Sequence, residues 1–326
     1  IGTILSLIGV RINNKKNLWV KELELIPLDE LGRPRIDVVV TICGIFRDTF
    51  GITIELLNRA FEMAALTDED PDMNFVRKHY LEKRDDYGDM AMARIAGPAS
   101  TEYATSMRTL IESGDWENEE ELTESYEDSM NHIYFRGRIE KRKELFSYML
   151  SNVDIITQER DNTEYEITDL DHYYEFLGGL SRTVKGKRGE VSKVMIVDST
   201  EEELIVEDIN YSIERASRTR IFNPKWIAGM LKHDFHGAKK IKDRVENLLG
   251  LAATTGAVKN WIFDSVADRY IFDEEIFEQL KKNNPYAAVK IGELLIETER
   301  RGYWKTDEDK LEHLKNIILR TEADIE

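Results

Sequence analysis

A mixed α/β fold is what this sequence predicts, with short strands in the first part of the chain and around 193–198 and a mainly helical C-terminal half. Three observations carry that expectation. The stretch "LWVKELELIPL" (18–28) alternates polar and apolar side chains, as a half-buried strand does. "RIDVVVTICGIF" (35–46) is almost continuously apolar, which suits a strand buried on both faces. From "TIELLNRAFEMAAL" (53–66) the apolar spacing becomes helical, and beyond Asn223 most of the chain keeps that period.

Taken in order, further helices are expected near 72–83, 102–113, 119–131 and 138–151, the last carrying Ile139, Leu145, Phe146 and Met149 on its apolar side. A short strand, "KVMIVD" (193–198), follows the turn "VKGKRGE", and the next helix is expected to start at Ser199 or Thr200 with Glu202 or Glu203 in the capping-box position. Asn223 and Pro224 open another helix, Asn223 as its cap and Pro224 at the first helical position, near the strand end at Asp198. Breaks are expected at Gly256, Pro285 and Gly302. No Pro-, Gly- or Ser-rich linker interrupts the chain. It therefore reads as one continuous body, 1–150 mixed and then helical, 151–326 a strand, turn and helix unit followed by a helical remainder.

Composition narrows the function. A chain of 326 residues with 41% hydrophobic content can bury a sizeable core, and no run of roughly eighteen apolar residues offers a membrane span. The start, "IGTILSLIGV", has neither an initiator Met nor a signal-peptide pattern, so a cut from a longer polypeptide is expected. The single cysteine, Cys43, allows no internal disulfide, reads as a buried small hydrophobe and suits a reducing cytoplasm. With 63 acids against 45 Lys and Arg, the formal charge of −18 argues against nucleic acid as a partner. Much of the excess lies in "DWENEEELTESYED" (115–128) and "DSTEEELIVEDI" (198–209), each read as a solvated helix face with acids near its N-terminus.

Several chemistries are excluded by motif. In "GGLSRTVKGKRG" (178–189), Lys187 is followed by Arg188 instead of Ser or Thr, so no phosphate loop is formed and ATP is not expected to bind here. G-x-S-x-G, H-E-x-x-H and paired C-x-x-C are all missing. What remains is a cluster in "DLDHYYEFLGGL" (169–180), where Asp169, Asp171, His172 and Glu175 interleave with Tyr173, Tyr174 and Phe176. Imidazole beside carboxylate binds a borderline divalent cation or accepts a proton; an ordinary amphipathic segment has the same residue types. His233 and His236 in "KHDFHGA" would share a face of a continuous helix, although Gly237 is placed to end it, and two histidines without a third ligand are an incomplete metal-ligand set.

The segments "LGRPRIDVVVTICGIFRDTF" (31–50), "ARIAGP" (93–98), "DHYYEFLGGL" (171–180), "NPKWIAGMLKHDFHGA" (223–238), "LAATTGAVKNWIFD" (251–264) and "NPYAAVKIGELLIETERRGYW" (284–304) occur in an order that resembles the large subunit of class I ATP-dependent metal chelatases, the family of CobN and the magnesium chelatase H subunit. The likeness runs through nearly the whole chain and corresponds to the C-terminal part of a longer subunit. It implies a tetrapyrrole-binding subunit that works with AAA+ ATPase subunits, which use the ATP, while Co2+ or Mg2+ enters the ring as substrate.

On that resemblance, His172 and Glu175 are the expected catalytic pair, supported by Asp171. Arg33, Arg35, Arg47, Arg94 and Lys225 are candidates for the ring's carboxylates, with internal pairing as the alternative. Tyr173, Asn223 and Trp226 complete the substrate-binding set, Trp226 with a core role equally open. His172, Glu175, His233 and His236 are candidate transient metal ligands. "DHYYEFLGGL" looks like the cobaltochelatase version, the magnesium type tending to carry Asp where Leu177 stands, whereas "GAVKNWIFD" leans to magnesium. The expectation is Co2+ insertion into a corrin-type ring in cobalamin biosynthesis; the alternatives are Mg2+ insertion into protoporphyrin IX and a non-catalytic module docking the AAA+ partners. After Gly97 the glycines expected of both branches are missing, with Glu102, Ala104 and Ser106 in "GPASTEYATSMRTLIESGDW" instead.

Overall fold

The computed structural model describes residues 1–13 and 22–325. They form two compact units, one from residues 1–106 and 124–153, the other from 107–123 and 154–326. The first unit opens with helix α1 (Gly2–Ile8) and an antiparallel hairpin of β1 (Val10–Asn13) and β2 (Glu22–Leu25), in which Val10 faces Leu25. Of the strand expected over 18–28, residues 18–21 lie outside the described residues. The hairpin leads to α2 (Leu28–Leu31), β3 (Val40–Thr41), α3 (Gly44–Thr49), α4 (Gly51–Leu66), α5 (Phe75–Tyr87) and β4 (Ile95–Gly97).

Residues 107–123, with α6 (Met107–Ser113) and the start of α7 (Glu119–Met130), belong to the second unit. The acids Glu119, Glu120 and Glu121 occupy the first turn of α7, where the helix dipole favours them. The first unit resumes with β5 (His132–Phe135), β6 (Arg138–Lys141) and α8 (Lys143–Ser151), and its second sheet runs β3-β4-β5-β6. Its core centres on α4, whose Leu57, Ala60, Phe61, Ala64 and Ala65 follow the helical period and are buried.

Two expectations fail here, the first through long-range partners and the second through a local turn. The apolar run 35–46 yields only the two-residue strand β3, parallel to β4, because Arg35 and Asp37 turn inward to distant charges and Ile36 stays 41% exposed. The helix expected over 138–151 begins at Lys143, since Arg136 and Gly137, both at positive φ, close a tight β5–β6 hairpin in which Tyr134 faces Ile139. Cys43 is half-buried instead of buried, at the start of α3. Helix α6 starts five residues later than the helix expected from 102, and α5 runs from an Asn74 cap.

In the second unit β7 (Ile155–Arg160) pairs in parallel with β8 (Lys193–Asp198), and β8 pairs antiparallel with β9 (Ile205–Asp208). The crossover from β7 to β8 carries a π-helical turn, Tyr173–Gly178, running into α9 (Gly179–Arg188). The helix expected after Asp198 is replaced by the hairpin to β9. The Asp198 carboxylate accepts from the Thr200 backbone N–H at 3.0 Å, which folds the chain back, and Ile205 and Val206 favour the strand. "DSTEEELIVEDI" is thus a turn and a strand.

Helices α10 (Ile209–Ala216), α11 (Pro224–Leu231), α12 (Asp234–Thr255), α13 (Asn260–Tyr270), α14 (Glu274–Asn283), α15 (Pro285–Arg300) and α16 (Glu308–Ala323) follow, with a second π-helical turn at Ser217–Ile221. The expected breaks stand: Gly256 ends α12 at φ 66°, Pro285 opens α15, and Gly302 follows α15 at φ 80°. Helix α12 is the axis of this unit, buried on every side from Val245 to Thr254 and packed by α9, α11, α14 and α15. Among the described residues no helix is long and apolar enough to cross a membrane.

One charge holds the first unit's N-terminal pieces together. Arg35 is fully buried; it donates from Nε and Nη2 to Glu69, both at 2.7 Å, and to the carbonyls of Gly9 at 2.9 Å and Ile26 at 2.7 Å. Gly9 has no alternative, since a Cβ there would lie 2.3 Å from Arg35 Nη1. Arg35→Met removes the charged partner of the Glu69 carboxylate, which keeps Asn74 Nδ2 at 2.8 Å, and is expected to cost about 3 kcal/mol, read as a lower urea midpoint, with part regained on adding Glu69→Met. An unchanged midpoint would show the pin to be dispensable.

Candidate functional site

The π-helical turn Tyr173–Gly178 places an extra residue in one helical turn, so three consecutive side chains, Tyr173, Tyr174 and Glu175, are buried together. Two close approaches to α12 make this fit. A Cβ on Gly178 would lie 2.1 Å from Thr254 Oγ1, and one on Gly250 would lie 2.5 Å from the Tyr174 ring. The turn therefore rests directly on the central helix.

At its N-terminal edge His172 keeps 56% of its side chain exposed, while Glu175 behind it is fully buried. His172 Nδ1 lies 3.4 Å from a Glu175 oxygen and 3.6 Å from an Asp171 oxygen. The other Asp171 oxygen meets Arg108 Nη1 at 2.6 Å, and Arg108 Nε donates to Glu112 at 2.7 Å. The Glu175 hydrogen bond, aided by the Asp171 charge and opposed by burial, raises the pKa of His172. The Tyr174 hydroxyl is buried with no hydrogen-bond partner among the described residues, and burial pushes it far above the usual phenol range. An accessible imidazole backed by a buried carboxylate can take a proton from a bound molecule and release it to water.

The loop before the turn is fixed by Asp169, whose side chain is 1% exposed. Its carboxylate meets Arg244 Nε of α12 at 2.8 Å and Arg220 Nε of the second π-helical turn at 3.4 Å, and accepts from the Glu166 backbone N–H at 3.0 Å. Arg244 in turn lies over the Trp226 ring, 4.6 Å from its centroid. Asn223 caps α11 through the Lys225 backbone N–H at 3.0 Å, with Pro224 first in the helix, as its sequence indicates.

The other expected residues are placed differently. Lys225 is exposed and Trp226 half-buried; Asp198, beside which they were expected, pairs with Arg160 at 3.1 Å. His233 and His236 are exposed and share no continuous helix, since α11 stops at Leu231 and α12 starts at Asp234. Gly237 lies inside α12, where a Cβ would meet the Met230 carbonyl oxygen at 1.7 Å. Among the described residues no group of three or more His, Cys, Asp or Glu side chains is disposed to hold a metal ion.

Arg33, Arg35, Arg47 and Arg94 all lie in the first unit with their donors on internal acceptors. Arg33 donates to the Leu7 and Pro34 carbonyls, both at 2.9 Å, and Arg47 to Asp48 at 2.8 Å and the Ala99 carbonyl at 2.6 Å. Arg94 donates to Asp37 at 2.8 Å, and His79 Nδ1 meets the same carboxylate at 2.7 Å. Burial would raise the Asp37 carboxyl, but Arg94 and His79 hold it below the usual range. Sequence reasoning misses two residues of the site, Arg108 and Arg244. The Arg108 and Glu112 spacing is visible in the chain, but it is also that of an ordinary surface pair.

The description CobN/Magnesium Chelatase belongs to a family model that matches residues 1–311. This chain belongs to that family. It is 35% identical over 312 residues to the H subunit of magnesium chelatase from Chlorobaculum parvum and 31% over 316 residues to the aerobic cobaltochelatase subunit CobN of a Sinorhizobium species, covering 94% and 93% of this chain. The chain spans about a quarter of the length of these curated relatives, 24% and 25%. Its fold matches the catalytic subunit of cobaltochelatase from Mycobacterium tuberculosis with a TM-score of 0.95 at 28% identity, over 98% of this chain and 28% of that one. The mixed α/β architecture is thus that of the matching part of the cobaltochelatase subunit.

His172 should titrate by NMR above the ordinary imidazole value of 6.5 and move back towards it in Glu175→Gln. Because the folded-state value is raised, the stability that His172 contributes is complete below the ordinary value and is lost as pH rises through the raised one. A midpoint at or below the ordinary value would contradict the geometry.

Proposed function

We propose that the chain is the tetrapyrrole-binding part of the large subunit of an ATP-dependent metal chelatase, with His172 and Glu175 taking up the protons that the ring loses. The observation that carries this reading is the exposed His172 imidazole backed by the buried Glu175 carboxylate, on a π-helical turn, in a chain of this family. Metal insertion replaces inner N–H bonds with metal–nitrogen bonds, so protons must leave the ring, two in turn from a porphyrin. An imidazole in contact with water accepts one, releases it and is ready for the second. Glu175 stabilises the transient imidazolium and remains in place.

Co2+ or Mg2+ is the substrate in this reading. Cobalt, inserted into a corrin-type ring in cobalamin biosynthesis, is favoured by the structural match to a cobaltochelatase subunit. The Mg2+ reading is favoured by the higher identity to a magnesium-chelatase large chain. ATP is hydrolysed on separate AAA+ subunits, in keeping with the missing phosphate loop here, and a reducing cytoplasm suits a chain whose one cysteine has no internal partner. Trp226, held by Arg244, is the aromatic face offered to the macrocycle, and Tyr173 supports the turn from beneath. The guanidinium groups of Arg33, Arg35, Arg47 and Arg94 serve the fold in this reading, and His233 and His236 take no part in catalysis.

In the intact subunit with its ATPase partners, His172→Ala and Glu175→Gln are each expected to lower chelation about 100-fold while the dissociation constant for the tetrapyrrole changes less than about threefold. Full turnover in both variants, correctly folded, would overturn the assignment. Assaying Co2+ and Mg2+ each with its own ring decides the metal.

A further inference from the structure

A tetrapyrrole's acidic side chains call for cations, and the four arginines expected to meet them are turned to the first unit's own acceptors. The second unit, which carries His172, has a cleft of about 670 Å3 lined by Arg218, Phe222, Trp261 and Arg269, with Asp268 and Asp273. Two arginines of the second π-helical turn leave it in different directions. Arg220, 26% exposed, turns in to Asp169 and donates from Nη2 to the Glu164 carbonyl at 2.7 Å. Arg218, 64% exposed, stands over Trp261 with its guanidinium carbon 4.5 Å from the ring centroid, and the Phe222 ring packs on the same indole at 5.9 Å. The acids around the cleft are already engaged. Asp268 meets Lys310 at 2.8 Å; Asp273 accepts from the Ile276 backbone N–H at 3.3 Å, capping α14, and meets Arg269 Nη1 at 3.2 Å. Glu214 meets Lys259 at 2.5 Å through one oxygen and reaches Arg218 with the other only at 3.7 Å. Arg218 is thus placed by its aromatic plate more than by an acid. A guanidinium stacked in this way offers a planar fork that matches a carboxylate, and little of its freedom is left to lose on binding.

We propose that this cleft anchors a carboxylate side chain of the tetrapyrrole: Arg218 receives the carboxylate, and Phe222 and the Trp261 indole pack along the arm that carries it. The inference rests on the reading of the chain as a tetrapyrrole-binding part. The protons to be removed lie at the centre of the macrocycle and the carboxylates at its rim, so an anchor belongs away from the base and not beside it. The π-helical turn serves both places. Arg220 ties it to the loop that leads into His172, and Arg218 opens onto the cleft.

The test uses the intact subunit with its ATPase partners and a pair of probes: the ring acid that the Co2+ and Mg2+ assays single out, protoporphyrin IX or a corrin-type acid, and its methyl ester, whose arms carry no charge. Arg218→Gln is expected to raise the dissociation constant of the acid about tenfold and that of the ester less than about twofold. In chelation the KM for the acid should rise by the same factor while the turnover number stays within about twofold, because an anchor at the rim holds ground state and transition state alike. Arg218→Lys, which keeps the charge without the fork, should recover part of the affinity. Equal losses for acid and ester, an unchanged dissociation constant for the acid, or a fall in turnover number in place of a rise in KM would each overturn the proposal. Should Arg218→Gln fail to fold, the same constants measured on Arg218→Lys decide in its place. If the wild-type subunit binds the acid and Arg218→Gln binds it equally well, only the cleft is lost; if the wild type binds neither ring, the tetrapyrrole reading itself falls.

Discussion

The Asp169 carboxylate is the constraint on which the candidate site stands. It is removed from water, so it must be paired, and its partners come from three places: the Glu166 backbone, Arg220 in the second π-helical turn and Arg244 in α12. A buried ion pair adds little net stability over a packed apolar substitute, but breaking one costs about 3–5 kcal/mol. Its value here is geometric. The loop that leads into His172, the turn that leads into α11 and the axis of the unit are held to one point, and the Arg244 guanidinium carries the constraint on to Trp226. An alanine at the same place would leave two guanidinium groups with backbone carbonyls but without the carboxylate that ties them together, and the loop without a fixed exit.

The 45 Lys and Arg of this chain are outnumbered by its 63 acids, and many are engaged internally. Arg35, Arg94 and Arg182 are nearly or wholly buried, each against a carboxylate, while Lys225 and Arg218 remain exposed. An arginine inside a recognisable sequence block therefore says little about an anionic ligand. The same block is needed to hold the backbone of α1, β2 and the loop before α5 in register, and bidentate guanidinium pairing does that without any ligand.

What was legible in the sequence was local. Strand β8 was found residue for residue, α4 and the Asn223 cap were near their expected places, and the glycine and proline breaks stood, because each depends on neighbours within a turn or two. The misread segments depend on distant groups or on one side chain competing with the backbone. Residues 35–46 look like a buried strand until Glu69 and Arg94 are seen to draw Arg35 and Asp37 inward. The stretch after Asp198 looks like a capping box until that carboxylate is seen to bond Thr200. Within the site, His172, Asp171 and Glu175 were visible as a cluster because one turn contains them. Arg108 had only the unspecific sign of its spacing from Glu112, since its partner Asp171 is brought to it by tertiary folding alone.

The two-part make-up of the second unit also orders events on the ribosome. Residues 107–123 are made before the partners on which they pack: Arg108 waits for Asp171, and the carbonyls of Gly114 and Trp116 wait for the Arg301 guanidinium, 187 and 185 residues later. At about 5–20 residues per second, that last interval is on the order of ten seconds or more. During it the segment is an unsatisfied piece of nascent chain, and its run of Asp115, Glu117, Glu119, Glu120 and Glu121 keeps it hydrated and averse to premature collapse. The charge that looks like mere solvent-facing decoration in the finished fold thus keeps in water a segment whose Arg301 partner is made late.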